Sequence, residues 1–475
     1  MNKRNRLKHK LITVNICIAL ASFTANAIAE ETVTAITKDD AYTFMDSVKE
    51  GKNLTSFRLR YEHVEQDGNA PVLLPARPLE NANALTLRSL IGWQTAPYNN
   101  FSFGAQLIDV SKFDDDFNDA TPITGPFNPA ANQPNKLAFA KVVDPDYTGI
   151  NQLYVDYTGI KNTKIRLGRQ PINLDNVRFI GDIAFRQVMQ VFDGVSVFNK
   201  SIPDTEIFVS HIESLVQINS QFRKEGALEI ANIRYRISPT EFLVAYGYLS
   251  CFTDLGNGNA YFGAGSVNNP GKLNINADQG NKTFGLRLDG VHPFNPNFRA
   301  IYTAEYAKQT DYSGGDSRID AHYYKLGGGF GFDNFNMRVD QELLSSNDGK
   351  YAFQTPFGTN HLFQGWVDKF LATPKEGMRD TFVTATYRYD DFVFFADYHV
   401  FHSDVDFFRA TGGKGSQYGK EWNIAATYNY SKNIMAKVEY GKYSEDDQYQ
   451  PSIAISQAGR IRDTDKLWLT AMYTF

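Results

Sequence analysis

Side chains able to do chemistry are thinly spread in this chain, and the ones that recur are arginines at every second position. Arg58 and Arg60 alternate with Phe57, Leu59 and Tyr61, and Arg234 and Arg236 alternate with Ile233, Tyr235 and Ile237. That period places the guanidinium groups on one face of an extended strand and the apolar groups on the other. Catalysis has little to work with here. Past the first 29 residues the histidines are His63, His211, His292, His322, His361, His399 and His402, with no Gly-x-Ser-x-Gly elbow and no His-Glu-x-x-His pair. His399 and His402 are three apart on an expected strand, so they point to opposite faces and do not share a metal. The run Asp114-Asp115-Asp116, with Asp119, has the ligand type for a divalent cation. An outer-loop run of this kind more often forms a solvated face or a contact to cation-bridged lipopolysaccharide. No cofactor is implied.

The elements that must position these arginines are announced at the two ends of the chain. Lys3, Arg4, Arg6, Lys8 and Lys10 precede an apolar stretch from Leu11 to Phe23 and then Ala27-Ile28-Ala29. That is the pattern of a cleaved signal peptide over residues 1–29, and its apolar core is too short for a transmembrane anchor. The whole chain carries 48 Lys+Arg against 53 Asp+Glu. Losing the leader therefore deepens the acidic balance and argues against nucleic acid as a partner. Only Cys251 lies beyond the leader, which excludes a disulfide framework and a thiolate metal cluster. At the other end, Leu467, Leu469, Ala471, Tyr473 and Phe475 fall on one face of a final strand and Lys466, Thr470 and Thr474 on the other.

The same alternation recurs over 55–64, 83–96, 101–113, 151–158, 163–169, 190–199, 204–212, 227–238, 241–250, 281–290, 297–308, 320–331, 334–343, 379–389, 392–402, 420–430, 433–443 and 465–475. It is weakest over 190–199 and 204–212. Tight turns such as 97–100, 238–240, 390–391 and 431–433 take turns with longer segments at 65–82, 114–150, 170–189, 213–226, 251–280, 344–378, 403–419 and 444–464, and a shorter one at 309–319. Short and long connections in strict succession are what an up-and-down barrel needs when one rim faces the periplasm and the other the outside. The expected fold is all-β: a transmembrane antiparallel barrel of about 18 strands, over residues 54–475, with 30–53 as a short periplasmic lead-in and the bacterial outer membrane as destination. The polar phase of each strand then lines a lumen.

On that phase the inward bases include Arg58, Arg60, Arg88, Lys164, Arg166, Arg234, Arg236, Arg287, Arg299, Lys325, Arg338, Arg388, Lys437 and Lys466. Their acidic counterparts are Glu62, Asp156, Asp289, Glu305, Asp340, Glu342, Asp397, Glu421 and Glu439. The lumen is thus expected to be more basic than the chain as a whole, and rings of Arg and Lys draw anions through a pore.

The stretch Ile165-Arg166-Leu167-Gly168-Arg169-Gln170, with Asn173, Asp175, Arg178-Phe179, Phe185-Arg186-Gln187 and Phe192-Asp193-Gly194, resembles the alginate-export porin family. The resemblance implies a monomeric eighteen-stranded barrel with a positively charged pore for a uronic-acid polymer, and it adds Arg169, Arg178 and Arg186 to the expected pore lining. One departure stands out. The long periplasmic loop that the family's alginate exporter keeps between its sixteenth and seventeenth strands is here only Ser431-Lys432-Asn433, which argues against dedicated coupling to a secretion complex. Segment 114–150, stiffened by Pro122, Pro126, Pro129 and Pro134, lies where the family keeps its outer constriction. Inward folding of 114–150 or 344–378 would set the lumen radius.

These readings converge on a passive channel for anionic carbohydrate or small organic anions, embedded in the outer membrane among lipopolysaccharide. A general or hydrophobic-solute porin on the same scaffold is the alternative within transport. An outer-membrane enzyme would need a Ser or Asp converging on one histidine at the outer rim, and an adhesin would work through the long loops.

Overall fold

The computed structural model describes residues 42–68, 78–119, 136–252, 279–409, 412–449 and 463–475. The expected leader, residues 1–29, lies outside the described residues. Hydrocarbon offers a peptide group no hydrogen-bond partner, so a chain can cross it only as a helix or as a sheet closed on itself. Among the described residues no helix is long and apolar enough to cross a membrane. The crossing is made by strands.

Eighteen strands of eight residues or more form one antiparallel sheet among the described residues. They are β1 (Ser56–Gln66), β2 (Ala82–Gln94), β3 (Phe101–Asp116), β4 (Tyr147–Tyr157), β5 (Thr163–Gln170) and β6 (Val191–Asn199). Next come β7 (Thr205–Val216), β8 (Leu228–Ser238), β9 (Glu241–Ser250), β10 (Asn281–Pro293), β11 (Phe298–Asp311) and β12 (Asp320–Phe332). The last six are β13 (Phe335–Leu344), β14 (Met378–Tyr389), β15 (Phe392–Phe408), β16 (Lys414–Asn429), β17 (Ile434–Glu445) and β18 (Thr464–Thr474). Each pairs with its neighbour in sequence, and β18 closes the ring against β1, with Ser56 opposite Thr474 and Gln66 opposite Thr464. No edge is left to satisfy.

Every segment expected from alternation is present, including the two with the weakest pattern. Several run further outward than expected: β3 continues to Asp116, β4 begins at Tyr147, and β15 and β16 extend to Phe408 and back to Lys414. Above the lipid both faces of a strand are wet, so the apolar phase fades while the backbone ladder continues. Asp114, Asp115 and Asp116 still pair with Leu85, Ala84 and Asn83.

Burial runs inside out relative to a water-soluble protein. Leu469, Leu326 and Ile91 are 42%, 56% and 58% exposed on the outer wall, whereas Arg60, Glu62 and Glu421 are at most 1% exposed on the inner one. At the rim carrying the short turns, outward aromatics pair across strands, as in Phe101 with Tyr157, Phe392 with Tyr428, and Phe57 with Phe475. Such girdles mark the level of the lipid headgroups. Before β1 a short helix, α1 (Phe44–Lys49), is tied to the β2–β3 turn.

A basic residue facing hydrocarbon at mid-height costs about 2–4 kcal/mol, falling to about 0–1 near the interface. Leu469→Arg, at the middle of β18, is therefore expected to lower the unfolding free energy obtained from a urea titration of the vesicle-inserted barrel by an amount in the larger range. Ile237→Arg, at the turn-side rim, is expected to change it little. Equal effects at both positions would contradict the assigned membrane level.

Candidate functional site

The inward phase of β1 and β2 brings three guanidinium groups together on the inner wall. Arg58 stands directly opposite Arg88, and Arg60 follows two residues on. All three are at most 5% exposed, and no carboxylate of the described residues lies within ion-pair distance of any of them. Like charges placed opposite one another repel, so other groups must compensate them. Backbone carbonyls do so. Arg58 donates through Nη1 to the carbonyl of Ala184 at 2.6 Å, through Nη2 to that of Arg186 at 2.5 Å, and through Nε to Gln187 Oε1 at 3.0 Å. Arg60 Nη1 donates to the carbonyl of Phe185 at 2.5 Å, its guanidinium 4.1 Å from the centre of the Phe185 ring.

Those carbonyls belong to segment 171–190, between β5 and β6, which folds into the barrel instead of away from it. Segment 345–377, between β13 and β14, does the same, and the two are knit together. The amide of Thr359 donates to Val177 O and that of Gly181 to Phe357 O, both at 2.9 Å, while Gln190 Nε2 donates to Phe357 O at 3.0 Å. The amide of Ile183 donates to Thr359 Oγ1 at 3.2 Å. A side chain on Gly181 would collide with Thr359, so glycine is required where the two segments touch. Val177 and Ile183 hold φ of 59° and 49°, a left-handed conformation costing a β-branched residue about 1–3 kcal/mol. The contacts to Thr359 hold the chain in it.

What seats segment 345–377 is mostly apolar. Phe353, Phe357 and Phe370 pack with Tyr246, Tyr323, Phe401, Tyr418 and Tyr443 of the inner wall in one buried cluster. Arg178, fully buried, ties the two segments to the barrel: its Nε donates to Glu342 Oε1 at 2.8 Å and its Nη1 to Asn360 Oδ1 at 3.0 Å. On the far side Val367 N donates to Glu421 Oε1 at 3.0 Å.

Asp368 is the polar hub. Its Oδ2 accepts from Arg186 Nη2 at 2.9 Å and from Lys466 Nζ at 3.4 Å, and its Oδ1 lies 2.8 Å from His361 Nδ1. Arg186 Nη1 donates in turn to Glu62 Oε2 at 2.9 Å. Burial alone would raise the Asp368 carboxyl, but His361, Lys466 and Arg186 outweigh it and hold the group well below the usual carboxylate range. Two inward segments, the first strand and the last strand thus meet at one carboxylate.

A family model described as alginate export matches residues 56–343, well over half of the chain. The chain belongs to the alginate-export family. Among solved structures, OccAB2 of Acinetobacter baumannii superposes with a TM-score of 0.63 at 14% identity, over 90% of this chain and 98% of that one. OccK5 (OpdH) of Pseudomonas aeruginosa gives 0.58 at 14% over 90% and 98%, and the outer membrane protein opdK of the same organism 0.57 at 10% over 88% and 97%. At such identities the likeness is one of fold. No curated protein sequence matches. Barrel and family together make this an outer-membrane protein of the channel-forming kind, and they point to a channel rather than an enzyme.

Within this alginate-export barrel the expected arginines fall into distinct settings. Arg58, Arg60 and Arg88 form the unpaired cluster. Arg166, Arg287 and Arg338 face inward but are neutralised by Asp156, Asp289 and Asp340 at 2.5–2.8 Å. Arg234 and Arg236 share the inward phase near the turn-side rim, paired with Glu206 and Asp204, and Arg388 is exposed at the same rim. Arg178 and Arg186 lie in segment 171–190 and hold it to the wall. Arg169 is a correction. It shares its face with Leu167, which is 62% exposed, and pairs with Asp193 at 2.7 Å on the outer wall. The motif gave it no strand phase, and the register places it outside the lumen.

The part of segment 114–150 expected at the outer constriction lies mostly outside the described residues. Residues 120–135, with Pro122, Pro126, Pro129 and Pro134, are outside them; the described part of the segment joins 171–190 and 345–377 at the inner wall through Asp144, fully buried, whose Oδ1 accepts from Gln187 N at 2.9 Å. The acidic run is engaged by lysines: Lys112 reaches Asp119 at 2.5 Å and Lys136 reaches Asp115 at 3.1 Å. His399 sits inward between Asp380 and Asp397 at 2.8 and 3.2 Å, and its phase puts His402 on the outer wall. Asp368 and Thr359 were not singled out from the sequence, and His361 and Phe185 were named there without this role. The available signal was six aromatics in 345–377, Tyr351, Phe353, Phe357, Phe363, Trp366 and Phe370, more than a solvated loop carries.

Removing one partner of a buried ion pair costs about 3–5 kcal/mol. Asp368→Asn keeps the volume but removes the charge shared by Arg186 and Lys466. The expected result is a larger and noisier single-channel current in planar bilayers, with faster proteolytic cutting within 171–190 and 345–377. Wild-type current and wild-type protection would show that the hub does not seat these segments.

Proposed function

We propose that the chain is a passive, monomeric channel for anionic solutes, oligosaccharides of uronic acids foremost. The observation that carries this reading is the cluster of Arg58, Arg60 and Arg88, buried on the inner wall with no carboxylate of the described residues within ion-pair distance. The Arg fork binds carboxylates bidentately and keeps its charge at any accessible pH. In the resting arrangement the carbonyls of Ala184, Phe185 and Arg186 occupy part of that fork. A solute carboxylate offers a full negative charge in place of peptide dipoles and competes for the same donors. The family description, alginate export, names a polymer whose every sugar carries such a carboxylate. The short turn between β16 and β17 favours passive diffusion over coupling to a secretion machine, and the ring closes within one chain, so a single copy is sufficient to form the barrel.

A second reading rests on the paired bases. With Arg166, Arg287, Arg338 and Lys437 each held by a neighbouring carboxylate, much of the inner wall is a mixed-charge ladder, as in a general diffusion channel. The two readings differ in the sign and size of ion selectivity.

In a potassium chloride gradient across a planar bilayer the wild-type channel is expected to give a reversal potential of anion-selective sign, with current blocked by alginate oligomers. Arg58→Gln combined with Arg60→Gln is expected to reduce both selectivity and block several-fold. Arg58→Lys combined with Arg60→Lys keeps the charge but loses the fork that caps two carbonyls, so selectivity should persist while conductance rises. Cation selectivity of the wild type would overturn the proposal.

A further inference from the structure

Residues 30–53 read from the sequence as a lead-in within the periplasm, yet the described part of that segment lies against the outer wall of the barrel. A helix of six residues cannot hold itself together in water, because nucleation outweighs so few intrahelical bonds. α1 is held by others. Thr43 and Asp46 form a capping box at its start. Ser47 Oγ donates to the carbonyl of Ala96 at 2.6 Å, and Trp93 Nε1 donates to the carbonyl of Val48 at 2.8 Å. Trp93 belongs to the outward phase of β2, with Ile91, so α1 rests on the lipid side of the sheet. Phe44 meets Tyr98 and the outward Phe103 edge to face, with ring centres 6.0 and 6.5 Å apart.

One face of the helix is spent on these bonds. The other presents Phe44 and Met45, 48% and 58% exposed, beside the aromatic girdle at the turn-side rim. Next to the helix a groove of about 340 Å³ opens on the same wall, floored by Gly104 and Ala105 and flanked by Trp93, Phe103, Leu153 and Leu167. Lys49, 3.8 Å from Asp46, and Lys52 are both exposed at the end of the helix, the residue type found where acyl chains give way to phosphates.

We propose that α1 is an interfacial anchor: Phe44 and Met45 insert into the periplasmic leaflet of the outer membrane, and a phospholipid acyl chain fills the groove beside them. The occupant follows from continuity. The groove and the helix face prolong the lipid-facing wall of β2–β5 without a break, and they sit at the depth of the girdle. The helix clamps the β2–β3 turn to that depth.

The test uses the full chain in vesicles of phosphatidylethanolamine and phosphatidylglycerol, with a nitroxide at Met45→Cys or Phe44→Cys in a Cys251→Ser background. Heat-modifiable gel mobility confirms that each labelled barrel is folded. Both labels are expected to collide several-fold more often with oxygen than with a water-soluble nickel chelate, as a label at Ile91→Cys on the same wall does. Nickel accessibility equal to that of a label at Asp390→Cys, in the β14–β15 turn, would overturn the proposal. So would spin–spin broadening that vanishes on dilution with unlabelled chain, since that places a second copy, and not lipid, on the helix.

Discussion

The inability of hydrocarbon to accept or donate a hydrogen bond governs everything else in this molecule. It forces the backbone into a ring in which each strand satisfies the next, and a ring has an inside and an outside. Once that is imposed, side chains sort by parity along each strand, apolar groups to lipid and charged groups to the lumen. Charges that would be intolerable in the core of a soluble domain are then gathered by necessity: Arg60, Glu62, Asp340 and Glu421 are almost wholly buried. The remaining problem is local, namely how each buried charge is compensated.

Two solutions coexist. Along most of the inner wall compensation comes from the adjacent position on the same strand or from the neighbouring strand, as in Arg338 with Asp340 or Arg166 with Asp156. Such pairs leave little net field. Around Arg58, Arg60 and Arg88 no carboxylate of the described residues comes within ion-pair distance, and the carbonyls of an inward-folded segment cap the guanidinium groups instead. A simple tally of inward bases against acids therefore overstates the free positive charge of the lumen and does not say on which wall it survives.

Parity is why so much of the fold was legible. A two-residue period persists over each crossing, so all eighteen strands, their faces and the succession of short and long connections could be read from residue types alone. Where lipid stops dictating, the legibility stops as well. Strand ends such as Asp114–Asp116 lost their pattern while keeping their ladder. Arg169 was drawn into the lumen by a motif when its register with Asp193 puts it outside. The inward segments were opaque for a different reason: contacts such as Thr359 to Val177 or Asp368 to Lys466 join residues far apart in sequence with no period to betray them. Only the density of aromatics in 345–377 hinted that this connection was not facing water.

The hub at Asp368 has a consequence for the order of assembly. Its partners come from the fifth connection of the turn-and-loop series, from β1 through Glu62 and Arg186, and from β18 through Lys466, while Phe185 lies edge-on to Trp468 of that same last strand. The contacts to Lys466 and Trp468 form only when the final strand is in place beside the first. The apolar seat of 345–377 on the inner wall does not wait for that closure, but the hub does, so an incompletely zipped barrel holds its plug by fewer bonds than a closed one.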